Sequence, residues 1–170
     1  KGYLGGQALD TIYFGGGTPS LLTETNLATV FNAIVKNFTI YPDVEVTLEA
    51  NPDDLTTEKI KSLKSVGVNR LSIGIQSFDD AVLKFLNRAH TAQEAFGVIE
   101  EVRQAGFDNI NIDLIHSIPG QNSDQLKRNL EVLLSLEPQH ISAYSLTVEE
   151  KTVFGRWAKQ GKFSPVAEEQ

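Results

Sequence analysis

The chain has 170 residues, 41% of them apolar, which is enough to bury a sizeable core as one domain. Its 22 acidic residues outnumber 15 lysines and arginines, leaving a net charge of −7 with the bases scattered, which argues against a nucleic-acid surface. The absence of cysteine excludes a disulfide, a thiol nucleophile and a Cys-ligated metal within these residues, and no apolar run or signal peptide points to a membrane, so the expected compartment is the cytoplasm.

Lys1 to Gly6 gives no convincing element, and the chain contains no methionine, so part of a longer protein is expected. Thr11-Ile12-Tyr13-Phe14 reads as a buried strand that runs into Gly15-Gly16-Gly17-Thr18-Pro19-Ser20. Thr18 is the expected N-cap there, with Pro19 at the first helical position. Glycines at such a handover permit positive φ and a close approach of a ligand to the backbone, although a tight turn without a ligand would look similar. After a helix over roughly 22–37, Val44 to Glu49 forms a second strand and 56–66 a second helix. Asn69 to Gln76 is the third strand. Ser77-Phe78-Asp79-Asp80 opens a short helix, and Thr91-Ala92-Gln93-Glu94 is a capping box for a helix that Gly106 stops. Asn109 to Ile115 is the fourth strand, Asn122 caps a helix over 126–136, His140 to Thr147 is the fifth strand, and 153–160 is a final helix.

Regular βα alternation predicts a parallel sheet. Its strands alternate unusually: Val44, Val46 and Leu48 oppose Glu45, Thr47 and Glu49; Leu71, Ile73 and Ile75 oppose Ser72, Gly74 and Gln76; Ile110, Ile112 and Leu114 oppose Asn109, Asn111 and Asp113. On the fifth strand Ser145 and Thr147 share a face. A doubly wound sheet would be apolar on both faces, and an ordinary eight-fold barrel fills its centre with Val, Ile and Leu. A partial barrel with helices outside and a polar, ligand-holding concave face satisfies the pattern. Glu49, Gln76 and Thr147 fall at the carboxyl ends of strands and Asp113 near one, at the rim where parallel α/β folds bind ligands.

Each candidate has a structural alternative. Glu49 either points across the barrel mouth or anchors a backbone N–H of the following Asn51-Pro52 turn. Gln76 is a ligand-facing or a surface amide, and Arg88 a bidentate carboxylate partner or a solvated cation. Asp113, within an apolar strand, needs partners whether it binds or only supports. His90, His116 and His140 have no metal-type spacing. No hydrolase triad or phosphate loop is present, so the set suits a zwitterionic, hydroxylated small molecule.

Four motifs together resemble the radical S-adenosylmethionine proteins of the oxygen-independent coproporphyrinogen III oxidase family: Phe14-Gly15-Gly16-Gly17-Thr18-Pro19-Ser20; Leu48-Glu49-Ala50-Asn51-Pro52; the run from Gly67 through Arg70 and Gln76 to Phe78; and Asn111 to Ile115 leading to Ile118-Pro119-Gly120. Glu49-Ala50-Asn51-Pro52 and Arg88-Ala89-His90 look more like its haem chaperone branch than the true oxidases. The resemblance implies a partial (β/α)6 TIM-like barrel of the radical S-adenosylmethionine type, here a fragment of one core domain without its first strand, its cluster loop and the carboxyl-terminal domain. It implies that Gly16, Gly17 and Thr18 hold the methionyl part of S-adenosylmethionine. It further implies that Arg88 meets the carboxylate, that Glu49, Gln76 and Asp113 share the ribose hydroxyls and amino group, and that Thr147 gives a backbone contact near the adenine. The family's four-iron four-sulfur (4Fe-4S) cluster is held by three cysteines and releases a 5′-deoxyadenosyl radical. This chain has none of them, so these residues alone are expected to be catalytically silent. The implied parent serves tetrapyrrole metabolism as a haem chaperone, with haem as cargo and an electron donor as partner. A coproporphyrinogen III oxidase that turns propionates into vinyls is the alternative, and a nucleotide-like ligand-binding module without chemistry is the second.

Overall fold

The computed structural model describes residues 5–164. Strands β1 (Leu9–Phe14), β2 (Ile40–Ala50), β3 (Arg70–Gln76), β4 (Asn109–His116) and β5 (His140–Ser145) form one sheet. All four pairings are parallel and in chain order. Such neighbours cannot be joined by hairpins, and helices make the crossovers: α1 (Glu24–Asn37), α2 (Thr57–Val66), α3 (Asp80–Phe85) with α4 (Ala92–Gln104), and α5 (Ser123–Ser135), with α6 (Val153–Lys159) last. The sheet curls into half a barrel. No helix among the described residues is long and apolar enough to cross a membrane.

The apolar sides of β2, β3 and β4 pack outward on the helices. Leu48, Leu71, Ile73, Ile75, Ile110 and Ile112 are fully buried there against Leu27, Ile60, Leu63, Ile99 and Val102. Each such side chain contributes about 1.5–3 kcal/mol of transfer free energy. Local signals agree with the packing: Thr56 and Asp79 cap α2 and α3, while Thr91 with Glu94 and Asn122 with Gln125 form reciprocal capping boxes.

The concave face is polar, but its two ends differ. At the amino ends of the strands, buried Arg70 donates to Thr47 Oγ1 at 3.3 Å and lies 3.0 Å from His140 Nδ1. Glu45 accepts from Thr47 and Asn109 at 3.1 and 3.2 Å, with one oxygen 3.9 Å from Arg70 Nε. This network satisfies its own charges and closes the floor, leaving free polar groups to the carboxyl rim.

Several expectations are corrected. β1 is an edge strand with only Ile12 buried, because among the described residues it is paired on one side alone. Thr18 makes no side-chain cap, and Pro19–Leu21 is a single 3-10 turn; α1 begins at Glu24, capped by Thr23. The Thr23 hydroxyl accepts from Asn26 N–H at the spacing that an N-cap requires. β5 ends at Ser145. Asp113 pairs with Ser142 and Ile115 with Tyr144, so the concave face carries Ser142 and Tyr144, and Ser145 lies on the other face. Thr147 therefore belongs to the segment after β5, where it is exposed.

Candidate functional site: the carboxyl rim of the half barrel

The β1 strand delivers the chain to a turn in which Gly16 and Gly17 both have positive φ, 75° and 66°. Two successive left-handed residues strongly favour glycine. A Cβ built on either would meet no protein atom within 4 Å, so the backbone there faces open space. Gly15 differs, since a Cβ would fall 2.7 Å from Tyr13 Cε1 and 3.0 Å from Glu49 Oε1. Glu49, at the end of β2, holds this turn: Gly16 N–H donates to Oε2 at 3.1 Å and the Tyr13 hydroxyl to Oε1 at 2.9 Å. The carboxylate anchors a backbone N–H of the glycine turn, and not one of the Asn51-Pro52 turn that the structural alternative expected. Burial first, then the bond to Glu49 and its charge, raises the Tyr13 phenol above its ordinary pKa.

Glu49→Ala removes both acceptors and frees the turn. Charged hydrogen bonds are worth about 1.5–3 kcal/mol, so loosened turn geometry is expected to weaken ligand binding at the rim roughly tenfold or more. Glu49→Gln, which keeps one acceptor for Gly16, loses less. A titration of both variants, with amide exchange at Gly16 and Gly17, checks the order.

Gln76 ends β3 with φ 69°, rare for a residue with a side chain, after a register shift between Ile73 and Gln76. This bulge turns its amide back over Gly74, where a Cβ would come within 2.9 Å of Nε2. The unfavourable backbone of Gln76 thus lies at the carboxyl rim, where stored strain is common at binding sites.

Asp113 projects from β4 into the concave face. Asn111 Nδ2 donates to it at 2.7 Å, and the Ser72 hydroxyl lies 3.4 Å from both oxygens. Burial pushes its pKa above the ordinary carboxylate value, assisted by the charge of Glu49 and partly offset by Asn111, Ser142 and Ser72. Arg88, in the segment between α3 and α4, donates to Asn51 Oδ1 at 3.4 Å. Burial lowers its pKa, against which the charges of Asp53 and Asp113 act.

These groups surround one cleft of about 430 Å³, within the roughly 300–1,000 Å³ common for small-molecule sites. Of the expected residues, Gly17, Thr18, Glu49, Gln76, Arg88 and Asp113 line it; Gly16 contributes through Glu49, and Thr147 is not among the lining residues. Sequence reasoning did not pick out Asn51 or Tyr144, which also line it. Tyr144 is 58% exposed and offers a ring at the β5 edge. Continuing the period-two pattern from His140 would have found it, whereas Asn51, in a turn, carries no periodic signal. Two carboxylates, one guanidinium, amides and a glycine turn can sort the cationic and anionic ends of a zwitterion. Among the described residues no cluster of His, Cys, Asp and Glu could hold a metal.

The chain has relatives among known proteins. A family model described as the radical SAM superfamily matches residues 3–133. The Heme chaperone HemW of Bacillus subtilis (strain 168) is 42% identical over 163 residues, covering 95% of this chain and 43% of that protein. The protein of the same name from Escherichia coli (strain K12) is 37% identical over 153 residues, covering 90% and 40%. The chain thus spans less than half the length of these relatives. Among solved structures, the coproporphyrinogen III oxidase HemN of Escherichia coli, described as a radical SAM enzyme, superposes with a TM-score of 0.78 at 27% identity, over 90% of this chain and 35% of that one. Elp3 of Methanocaldococcus infernus gives 0.81 at 18% identity, over 96% and 44%, a likeness of fold alone.

Proposed function

Because the chain belongs to the radical SAM superfamily, we propose that its concave rim binds S-adenosylmethionine and that the complete protein is a haem chaperone of tetrapyrrole metabolism in the cytoplasm. The observation that carries the binding half is the convergence of Glu49, Gln76, Arg88 and Asp113, from four separate segments, on one cleft beside the glycine turn.

The donor set suits the cofactor chemically. Arg88 supplies the planar fork that a carboxylate accepts. Gly16, Gly17 and Thr18 present backbone where the methionyl part can lie close. Glu49, Gln76 and Asp113 offer acceptors, and Gln76 also donors, for the ammonium group and ribose hydroxyls. Thr147 would take part near the adenine through its backbone alone.

Family membership implies a four-iron four-sulfur cluster, which when bound supplies an electron to the cofactor's sulfonium. The residues of this chain do not fit such a cluster, since none is a cysteine. In this reading the chain is one part of a radical SAM core, and the cluster ligands lie in a different part of the complete protein. What these residues do is bind and orient the cofactor.

Relatives named as haem chaperones favour haem as cargo, and the electron that the cluster chemistry consumes calls for a donor as partner. The likeness to the coproporphyrinogen oxidase favours a second reading, in which propionates are decarboxylated to vinyls. Anaerobic incubation of the complete, reconstituted protein with haem and an apo-acceptor, and separately with coproporphyrinogen III, distinguishes them. Haem transfer without vinyl formation is expected. Protoporphyrinogen formation would replace the chaperone reading with the oxidase, and neither activity, together with cofactor binding and no cofactor cleavage, would leave a binding module.

A further inference from the structure

We propose that His90 is a positioning residue that locks the cofactor rim from behind, by holding the strained end of β3 and bracing the loop that carries Arg88. The inference rests on the reading of the rim as the cofactor site.

His90 is 4% exposed and sits two residues beyond Arg88, just ahead of the α4 cap. Its Nε2 is 3.0 Å from the Ile75 carbonyl. A carbonyl only accepts, so Nε2 carries the proton and donates. Ile75 is the residue immediately before Gln76, whose φ of 69° depends on the surrounding structure to persist. The imidazole thus grips the backbone where the β3 register shifts, at a carbonyl that also accepts from Ser77 N–H at 2.9 Å.

The opposite edge of the ring meets the β2–α2 turn. Nδ1 is buried, has no hydrogen-bond partner among the described residues, and lies 3.8 Å from Asp53 Oδ1. With the proton on Nε2, Nδ1 is an acceptor that the Asp53 carboxylate does not serve, so the hold of the ring is through Nε2. Asp53 and Asn51 belong to the same turn, and Asn51 accepts from Arg88. The ring therefore ties two segments that each present a group to the cleft, the end of β3 with Gln76 and the loop with Arg88, and Arg88 in turn reaches Asn51 in the turn after β2. His90 itself does not line the cleft, so it acts through these neighbours.

The test compares side chains by the atom each retains. His90→Gln places an amide N–H near the position of Nε2, His90→Asn is too short to reach it, and His90→Leu fills the volume without a donor. In the complete protein, S-adenosylmethionine affinity is measured by calorimetry, and amide exchange at residues 76–78 and 86–90 is followed without ligand. Affinity for the Gln variant is expected within about threefold of the parent, with a loss of tenfold or more for Asn and Leu and faster exchange in both segments. If Leu does not fold, the Gln and Asn pair carries the comparison. Equal affinity and exchange in all variants, or equal losses for Gln and Asn, would overturn the inference. A parent protein that fails to bind S-adenosylmethionine, while the Asn variant still exchanges faster at 76–78, would remove the cofactor reading and leave the positioning role standing.

Discussion

Arg88→Ala in the complete protein is expected to weaken S-adenosylmethionine binding roughly 10- to 150-fold, converting about 1.5–3 kcal/mol for charge-assisted hydrogen bonds at about 1.4 kcal/mol per decade. Arg88 is the cation among the lining residues of the cleft, where Glu49 and Asp113 are both acidic. Without it, an anionic ligand group would face two carboxylates and no compensating charge. Arg88→Lys should recover little, because an ammonium is a point charge on a flexible stem and lacks the planar fork. Stability should change little in either variant, since the side-chain hydrogen bond of Arg88 to Asn51 is long and its backbone bond to the Leu83 carbonyl does not depend on the side chain. Calorimetric titration beside thermal melts checks both halves. Unchanged affinity in Arg88→Ala would show that the guanidinium does not meet the ligand.

Asp113→Asn is expected to stabilise the fold while it impairs binding. Burial raises the pKa of Asp113, so the folded protein holds this proton more tightly than the unfolded chain. Its contribution to stability is therefore present below the ordinary aspartate value of about 3.9 and is lost as pH rises through the raised folded value. At neutral pH the ionised group is a cost. The Asn side chain removes that charge and keeps an acceptor for Asn111, with Ser72 nearby. A gain of about 0.5–2 kcal/mol is typical when a functional site is relieved in this way, and the partial exposure of Asp113 places the expectation at the lower end. Cofactor affinity should fall roughly tenfold. The stability gain should shrink as the pH is lowered past the raised value and vanish below about 3.9, where folded and unfolded wild type are both neutral. Denaturant unfolding of both proteins across pH measures this directly. A variant less stable than wild type at neutral pH would contradict the burial argument.

The barrel face was legible because period-two alternation is set by the strand itself: polar or small residues at alternate positions of β2, β3 and β4 leave one face without apolar cover. The same rule failed on β5, where expectation ran the strand on to Thr147. The register instead pairs Asp113 with Ser142 and ends the ladder at Ser145, moving Tyr144 to the concave side. The glycine turn was legible as a site but its cap was not. Thr18 and Thr23 are both plausible N-caps locally, and only the 3-10 turn of Pro19–Leu21 decides that Thr23 starts α1. Glu49 was found as a residue, while its hold on Gly16 and Tyr13 depends on the pairing of β1 with β2, which local pattern does not encode. The hold of His90 on β3 carried no local signal, because the Ile75 carbonyl that it meets is remote in sequence and belongs to the backbone.

The central claim is that one cleft at the carboxyl rim binds S-adenosylmethionine through Arg88, Glu49, Gln76 and Asp113. Its most direct test is calorimetric titration of the complete, anaerobically reconstituted protein with S-adenosylmethionine, repeated with Arg88→Ala and with S-adenosylhomocysteine. The expected result is saturable one-to-one binding of the cofactor that drops at least tenfold in the variant, with the homocysteine analogue retaining binding through its shared carboxylate and ribose. No binding by the folded wild-type protein, or equal binding by wild type and Arg88→Ala, would contradict it.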